Sequence, residues 1–340
     1  MAGDHDNRRR HSGAVTIYDV AREVGVAPST VSRAFSRPGR VNAETAERIR
    51  RVADELGYRA NPMARALTTA RTSMVAMVTA DITNPVFFEI IRGADEAASQ
   101  AGYVMLLADT QESDRRERDS LDRVVSNVDG IVLTSSRMSD SAIRMIAKQK
   151  PTIVLNRAVT DVPSVVTDDA RGVRRAAEHL GGYGHRAITY IAGPEASWAD
   201  GMRWRGLREA ALELELTVRR VGPGVPTVDG GDAAAQRWSE HPTSGVIAYN
   251  AQMAIGFIRG ARALGAQVPD EVSVIGFDNI FGAELVTPPL TTVAAPLRAL
   301  GSTAVRTLLG LIGGKRMTTR RPLVVPTRLV VRGSTARHQA

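Results

Sequence analysis

A chain of 340 residues is long enough for two or three domains with a substantial core, and its 43% hydrophobic content is that of a globular protein. No apolar run approaches the ~20 residues of a membrane span, the polar N-terminus carries no apolar signal core, and the lack of cysteine removes disulfides and thiolate chemistry together, so a cytoplasmic location is expected. The net charge is +8, and residues 1–68 carry half of it on a fifth of the chain, a concentration that suits contact with phosphates.

Residues 1–15, with Arg8-Arg9-Arg10, read as a disordered basic tail. Ile17, Val20, Ala21 and Val24 then recur at i, i+3, i+4 and i+7, the apolar stripe of a helix. Thr16 and Asp19 form an acidic capping box at its start, and Gly25 supplies the left-handed turn at its end. Pro28 suits the first position of a second helix, which turns Val31 and Ala34 inward and Ser29, Thr30, Ser32 and Arg33 outward. Two helices joined by a short glycine turn make a helix-turn-helix, whose second helix enters a DNA major groove; spacing alone equally allows a plain helical hairpin. The turn Ser36–Arg40 offers Arg37 and Arg40 to phosphates. Asn42 caps a third helix with the face Ile49, Val52, Ala53 and Leu56, closed by Gly57. Residues 16–60 thus read as an all-α headpiece, and the short stretch 61–72 as a linker too brief for a stable helix in water.

From Met74 onward, strands alternate with helices. Strands are expected at Met74–Thr79, Val104–Ala108, Gly130–Leu133, Thr152–Leu155, Ala187–Ile191, Gly245–Ala248 and Val272–Ile275. Helices are expected at Pro85–Ala101, Ala170–Leu180, Met202–Leu214 and Gln252–Leu264. This alternation implies parallel sheets flanked by helices, in two Rossmann-like lobes with a cleft beyond the carboxyl ends of the strands. Asp81, Asn156, Asn250 and Asp278 fall at strand ends, Asp168-Asp169 at a crossover between lobes, and Arg203 at the opening of a helix. Asn84-Pro85 starts a helix with Phe87 just inside it. Enzyme signatures are missing: Gly313-Gly-Lys-Arg316 lacks the Ser or Thr and the first Gly of a phosphate loop, and there is no Gly-x-Ser-x-Gly elbow. The six histidines show no metal spacing, and His185 reads as a structural turn residue. No enzyme activity, cofactor or metal is expected.

The wording is more specific than the spacing. Tyr18-Asp-Val-Ala21, Gly25-Val26, Thr30-Val-Ser-Arg33, Val41, Leu56-Gly-Tyr58 and Asn61-Pro62 resemble the opening of LacI/GalR-type bacterial transcriptional regulators. The resemblance returns at Asp81–Pro85, Val128-Asp-Gly130, Gly184-His-Arg186 and Val274–Asp278, covering about Thr16 to Val331. It implies an N-terminal helix-turn-helix headpiece and a periplasmic-binding-protein-like effector and dimerisation domain at 73–333. Lobe 1 would span about 73–167 plus 297–325, lobe 2 about 168–296 plus 326–333, with a tail at 334–340 too short for a tetramerising zipper. It implies DNA contacts from Thr16, Tyr18, Pro28, Ser29, Thr30, Ser32 and Arg33. It further implies that 61–72 is a hinge with Asn61, Ala64 and Leu67 at the DNA, becoming helical there and wedging Leu67 into the minor groove. Asp81, Phe87, Asn156, Arg203, Asn250 and Asp278 would line the effector pocket.

The implied function is a repressor on a palindromic double-stranded operator, acting as a homodimer under a small-molecule effector, a carbohydrate in the first instance or a purine as the alternative. A solute-binding protein of the same fold would need export and no DNA head; a recombinase would need a catalytic cluster that is not found. Three departures from the family pattern stand out. Ala27 replaces the usual Ser cap of the second helix, at a cost of ~1 kcal/mol. Asn250-Ala251 replaces Asn-Asp, and Ala294-Ala295 stands where a Gln is common, so the pocket loses polar groups for hydroxyls.

Overall fold

The structure, a computed structural model, describes residues 15–36, 39–59, 71–315 and 321–338, and divides into a headpiece up to Ser73 and a larger unit from Met74 onward. In the headpiece, α1 (Ile17–Val24), α2 (Pro28–Ser36) and α3 (Ala43–Leu56) enclose a core of Val20, Ala21, Val24, Val31, Ala34, Ala46, Ile49 and Ala53. Asp19 accepts from both the backbone N (2.9 Å) and the hydroxyl (2.6 Å) of Thr16, which fixes where α1 begins. Gly25 and Gly57 end α1 and α3 in the left-handed conformation, at φ 73° and 70°, where a Cβ would be strained. Asn42 caps α3 through Glu44 N at 2.9 Å. One expectation for α3 is corrected. Leu56 is exposed and Ala46 faces inward, because the chain turns at Gly57 and Tyr58 packs against Phe35 with ring centroids 5.9 Å apart.

The larger unit holds two six-stranded sheets. The first comprises β1 (Met74–Thr79), β2 (Val104–Asp109), β3 (Gly130–Thr134), β4 (Thr152–Leu155), β5 (Ser164–Thr167) and, returning late, β11 (Leu323–Val325), in the order β11-β5-β4-β3-β1-β2. The second comprises β6 (Ala187–Ile191), β7 (Thr217–Val221), β8 (Gly245–Ala248), β9 (Ser273–Phe277), β10 (Thr291–Ala294) and β12 (Arg328–Val330), in the order β12-β10-β9-β8-β6-β7. All pairings are parallel except β10 with β12. Central strands are buried on both faces, as parallel strands covered by helices must be.

The helices of the first lobe are α4 (Val86–Gln100), α5 (Asp114–Val124), α6 (Asp140–Gln149) and the late α12 (Leu297–Ile312); those of the second are α7 (Asp169–Gly182), α8 (Trp198–Glu213), α9 (Val228–Ser239), α10 (Ala251–Ala263) and the short α11 (Gly282–Leu285). The chain crosses between the sheets three times: after β5, between β10 and α12, and between β11 and β12. Two of these crossings are tied together at Asp168, whose N donates to Val325 O (2.9 Å) and whose O accepts from the Thr327 hydroxyl (3.0 Å). Among the described residues no helix is long and apolar enough to cross a membrane.

Candidate effector cleft and DNA-binding face

On the headpiece, α2 turns Val31 and Ala34 into the core, which leaves Ser29 and Arg33 exposed and Thr30 and Ser32 half-buried on the outer side. Pro28 opens the helix half-buried; Thr16 is exposed, and Tyr18 lies 66% exposed on α1. Arg33 folds back along α2, its Nε donating to Ser29 O and its Nη2 to Ser29 Oγ, both at 3.1 Å. Arg48 from α3 donates to Val24 O at 3.2 Å, which places positive charge at the C-terminal end of α1. Asn61, Ala64 and Leu67, like Arg37, lie outside the described residues.

The carboxyl ends of the strands gather the polar residues of the cleft. Backbone there is repeatedly left-handed in residues other than glycine: Gln111 and Glu112 after β2, Ser135 after β3, Asn156 after β4, and Asp278 and Asn279 after β9. Such conformations persist only where surroundings over-determine them, and they cluster at binding sites. Asn156 uses its amide to donate to Ser135 Oγ at 3.3 Å. Asp81 receives the N and the hydroxyl of Thr83 at 2.9 and 2.6 Å, a tight local turn.

The centre is Arg203, only 6% exposed. It lies in the second turn of α8 rather than opening a helix, because Ser197 caps that helix through Asp200 N and starts it four residues before Met202. Its Nε donates to Asp169 at 2.9 Å, its Nη1 to Tyr249 O, and its Nη2 lies 3.5 Å from Asp278. The guanidinium also sits over the rings of Phe277 (4.1 Å) and Tyr249 (5.2 Å). Burial works against its charge, yet Asp169 and Asp278 more than offset this and hold it above the usual arginine range. Burial pushes the Asp278 carboxyl up to about 6, with Arg203 pulling against it and Asp169 adding repulsion. Asp169 is also raised by burial, partly countered by Arg203. Two carboxylates thus share one cation, a set of donors and acceptors of the kind that can exchange hydrogen bonds with a hydroxyl-bearing or partly charged group.

Two residues expected at the cleft are committed elsewhere. Asn250 is buried and engaged at both ends of its amide, its Oδ1 capping α10 at Met253 N (2.8 Å) and its Nδ2 donating to Pro226 O (2.9 Å). Phe87 is 3% exposed and packs in the core, since the second residue of α4 faces the sheet; its neighbour Phe88 is open and stacks on Phe281 with centroids 6.4 Å apart.

Sequence reasoning missed Tyr249, Arg137 and Asp200. Asp200 accepts from Tyr190 OH (2.9 Å), Gly193 N (2.7 Å) and Arg220 Nη2 (2.6 Å). A Ser three residues before an Asp, at 197 and 200, was the available signal for this cap. His185 joins Ser244 (2.9 Å) to Ala336 O (3.1 Å) and so pins the C-terminal segment; it is structural. Among the described residues no group of three His, Cys, Asp or Glu could hold a metal.

Comparison with known proteins agrees with the two-part architecture. Residues 16–61 match the model of bacterial regulatory proteins of the lacI family, and 177–335 that of a periplasmic binding protein-like domain. The HTH-type transcriptional regulator DegA of Bacillus subtilis (strain 168) is 34% identical over 331 residues, covering 94% of this chain and 98% of its own. The Lac repressor dimer bound to operator and the anti-inducer ONPF superposes with a TM-score of 0.85 at 24% identity, covering 95% of this chain and 100% of the other. The transcriptional regulator CelR in complex with cellobiose gives 0.71 at 31% identity, covering 94% and 99%. These relatives are regulators rather than enzymes, and the chain belongs to the LacI family of bacterial transcriptional regulators.

Proposed function

We propose that this protein is a cytoplasmic repressor that binds a palindromic operator as a homodimer and changes its affinity when a sugar occupies the cleft. The observation that carries the effector reading is the buried Arg203 held between Asp169 and Asp278; the rings of Phe88 and Phe281, both partly exposed, stack on each other between the two lobes. Forked donors and carboxylates read hydroxyls, and aromatic faces cover the apolar face of a sugar ring. The cellobiose held by CelR supports the same ligand class. Ser29, Thr30, Ser32 and Arg33 read base edges from α2, while Thr16, Tyr18 and Pro28 position the helix on the backbone. Residues 61–72 serve as the hinge, with Asn61, Ala64 and Leu67 meeting the minor groove. Asp81, Asn156, Arg203 and Asp278 hold the effector between a first lobe of 73–167 plus 297–325 and a second of 168–296 plus 326–333. Asn250 and Phe87 shape it from behind.

A mobility-shift assay on selected and random duplexes, at two salt concentrations and with and without a panel of sugars and nucleobases, tests this. The expected result is selective binding with a steep salt slope, altered by one sugar. Binding that ignores sequence, or a response to nucleobases alone, would overturn the respective half.

A further inference from the structure

Beyond β9 the chain turns through two consecutive residues in the left-handed region, Asp278 at φ 82° and Asn279 at φ 49°, neither of them glycine. Such a turn persists only where its surroundings over-determine it. Asp278 N donates to Val293 O at 2.8 Å and Asn279 N to the Thr292 hydroxyl at 3.3 Å, so both amides are tied to β10. Arg332, just past β12 with its side chain 13% exposed, grips the turn from the other side. Its Nη2 donates to Asn279 Oδ1 (2.8 Å) and Glu284 Oε1 (2.7 Å), and its Nη1 to Leu290 O (2.8 Å). Ile280, the next residue, is buried. The turn has little slack.

Its two ends meet different partners. At one end Asp278 faces Arg203 within the second lobe, 3.5 Å from Nη2. At the other, three positions on, Phe281 lays its ring on that of Phe88, the third residue of α4 in the first lobe. The ring centroids are 6.4 Å apart and the planes are inclined by 16°. Both rings stay partly open to solvent. An exposed aromatic pair shifts an equilibrium only about two- to tenfold. That is enough to bias the separation of two lobes, and small enough for a ligand to overcome.

We propose that the turn 278–281, held rigid by Arg332, carries a change at Asp278 to the Phe88–Phe281 stack and so links the effector clamp to the contact between the lobes. The inference rests on the cleft being the effector site and adds how occupation of that site is read out. A ligand group that exchanges hydrogen bonds with Asp278 or Arg203 draws on one end of the turn. Because Asn279 and Ile280 are fixed, the turn shifts as one piece rather than bending in the middle, and Phe281 slides from Phe88. Lobe separation then depends on which partner Asp278 holds, a two-state element biased by differential contacts.

The chain has no cysteine, so Met145→Cys on α6 and Leu212→Cys on α8, both at exposed positions in different lobes, allow spin labels without background. The doubly labelled full-length chain is mixed with an excess of unlabelled chain, so that the measured distances lie within one protomer, and no sugar is added. Phe281→Ala and Phe88→Ala are each expected to raise the ratio of long to short separations roughly two- to tenfold. The double variant should go no further, since both remove one contact. Asp278→Asn, which removes the charge at the clamp end, is expected to change the ratio in the parent and to add nothing in Phe281→Ala. If Asp278→Asn does not fold, Arg332→Lys, which loses the fork on Asn279 and Glu284, takes its place in the same cycle. No shift in Phe281→Ala, no shift from the variant at the clamp end, or shifts that add, would overturn the link. The operator mobility shift with the sugar panel reports separately on the effector reading: a parent that answers to no sugar sinks that reading, while the label distances still decide the link.

Discussion

Arg33 lies along its own helix, bonded to the backbone and hydroxyl of Ser29. Those bonds are exposed and worth little, so the guanidinium can swing outward to the N7 and O6 of a guanine at small cost. Arg33→Ala is expected to lose about 1–3 kcal/mol on the best operator and little on random duplex, measured by fluorescence anisotropy; equal losses would make it a phosphate contact. Asp278 shows the opposite situation, a charge held where solvent is scarce. Its carboxyl keeps a proton up to about 6 in the folded chain, against 3.8 as the ordinary value. A raised carboxyl contributes most to stability below the unfolded pKa, and that contribution is lost as pH climbs through the folded one. The span is roughly 3 kcal/mol at most. Asp278→Asn should therefore gain in thermal midpoint relative to the parent between about pH 4.5 and about pH 7.5. A gap that stays constant with pH would mean that Asp278 does not titrate there.

At the level of elements, each lobe uses the same device to bring two helices together. In the first lobe, a Cβ at Gly93 would strike Arg298 O at 2.0 Å, and one at Gly301 would strike Ile90 O at 1.9 Å. In the second, Gly231 faces Met253 O at 2.0 Å and Gly256 faces Val228 O at 1.8 Å. The backbones of α4 and α12, and of α9 and α10, thus touch with no side chain between them. Gly301→Ala must push α12 from α4, and a loss of about 1–3 kcal/mol is expected, seen as a lower melting point of the larger unit. A melting point equal to the parent's would show that the helices separate freely. Most elements expected from a clean period were found, although α12, with Leu300, Ala304 and Leu308 on one face, was not among those expected. Elements without a period were not legible: α5 carries little apolar beyond Leu121 and Val124, β7 is interrupted by Arg219-Arg220, and β11 is three residues long. The start of α8 was misplaced because Asp200 and Arg203 are buried in it alongside Ala199 and Gly206, so no apolar stripe marks its first turns.

Across the whole molecule, the second lobe's Arg203 and the first lobe's Asp81 and Asn156 belong to lobes joined by three chain crossings, two of them tied at Asp168, and by the stacked rings of Phe88 and Phe281. Removing Arg203 outright would strand Asp169 and Asp278 in the interior at a cost of about 3–5 kcal/mol, which confuses folding with signalling. Arg203→Lys keeps the charge and loses the fork. With an effector identified, this variant is expected to bind it at least roughly tenfold more weakly and to lose its effect on operator binding, while binding to operator without effector stays at the parent level. An unaltered titration would remove Arg203 from the clamp.

Local chemistry determined the headpiece, because caps, glycine turns and apolar spacing act within a few residues: Thr16 with Asp19, Gly25, Pro28 and Asn42 each mark a boundary that the chain then obeys. Alternating strands and helices likewise determined the doubly wound architecture. The cleft was a different matter. Asn250, a strand-end amide by sequence, becomes a helix cap on Met253 N with its Nδ2 on Pro226 O, while Tyr249 beside it is buried because Gly193, fifty-six positions earlier, leaves room for its ring. Arg137 reads as an ordinary loop cation until folding buries it against Glu112 and anchors its turn on Glu117. Which side chains face a cleft depends on pairings between distant strands and on the space their neighbours leave, and those quantities exist only in the folded chain.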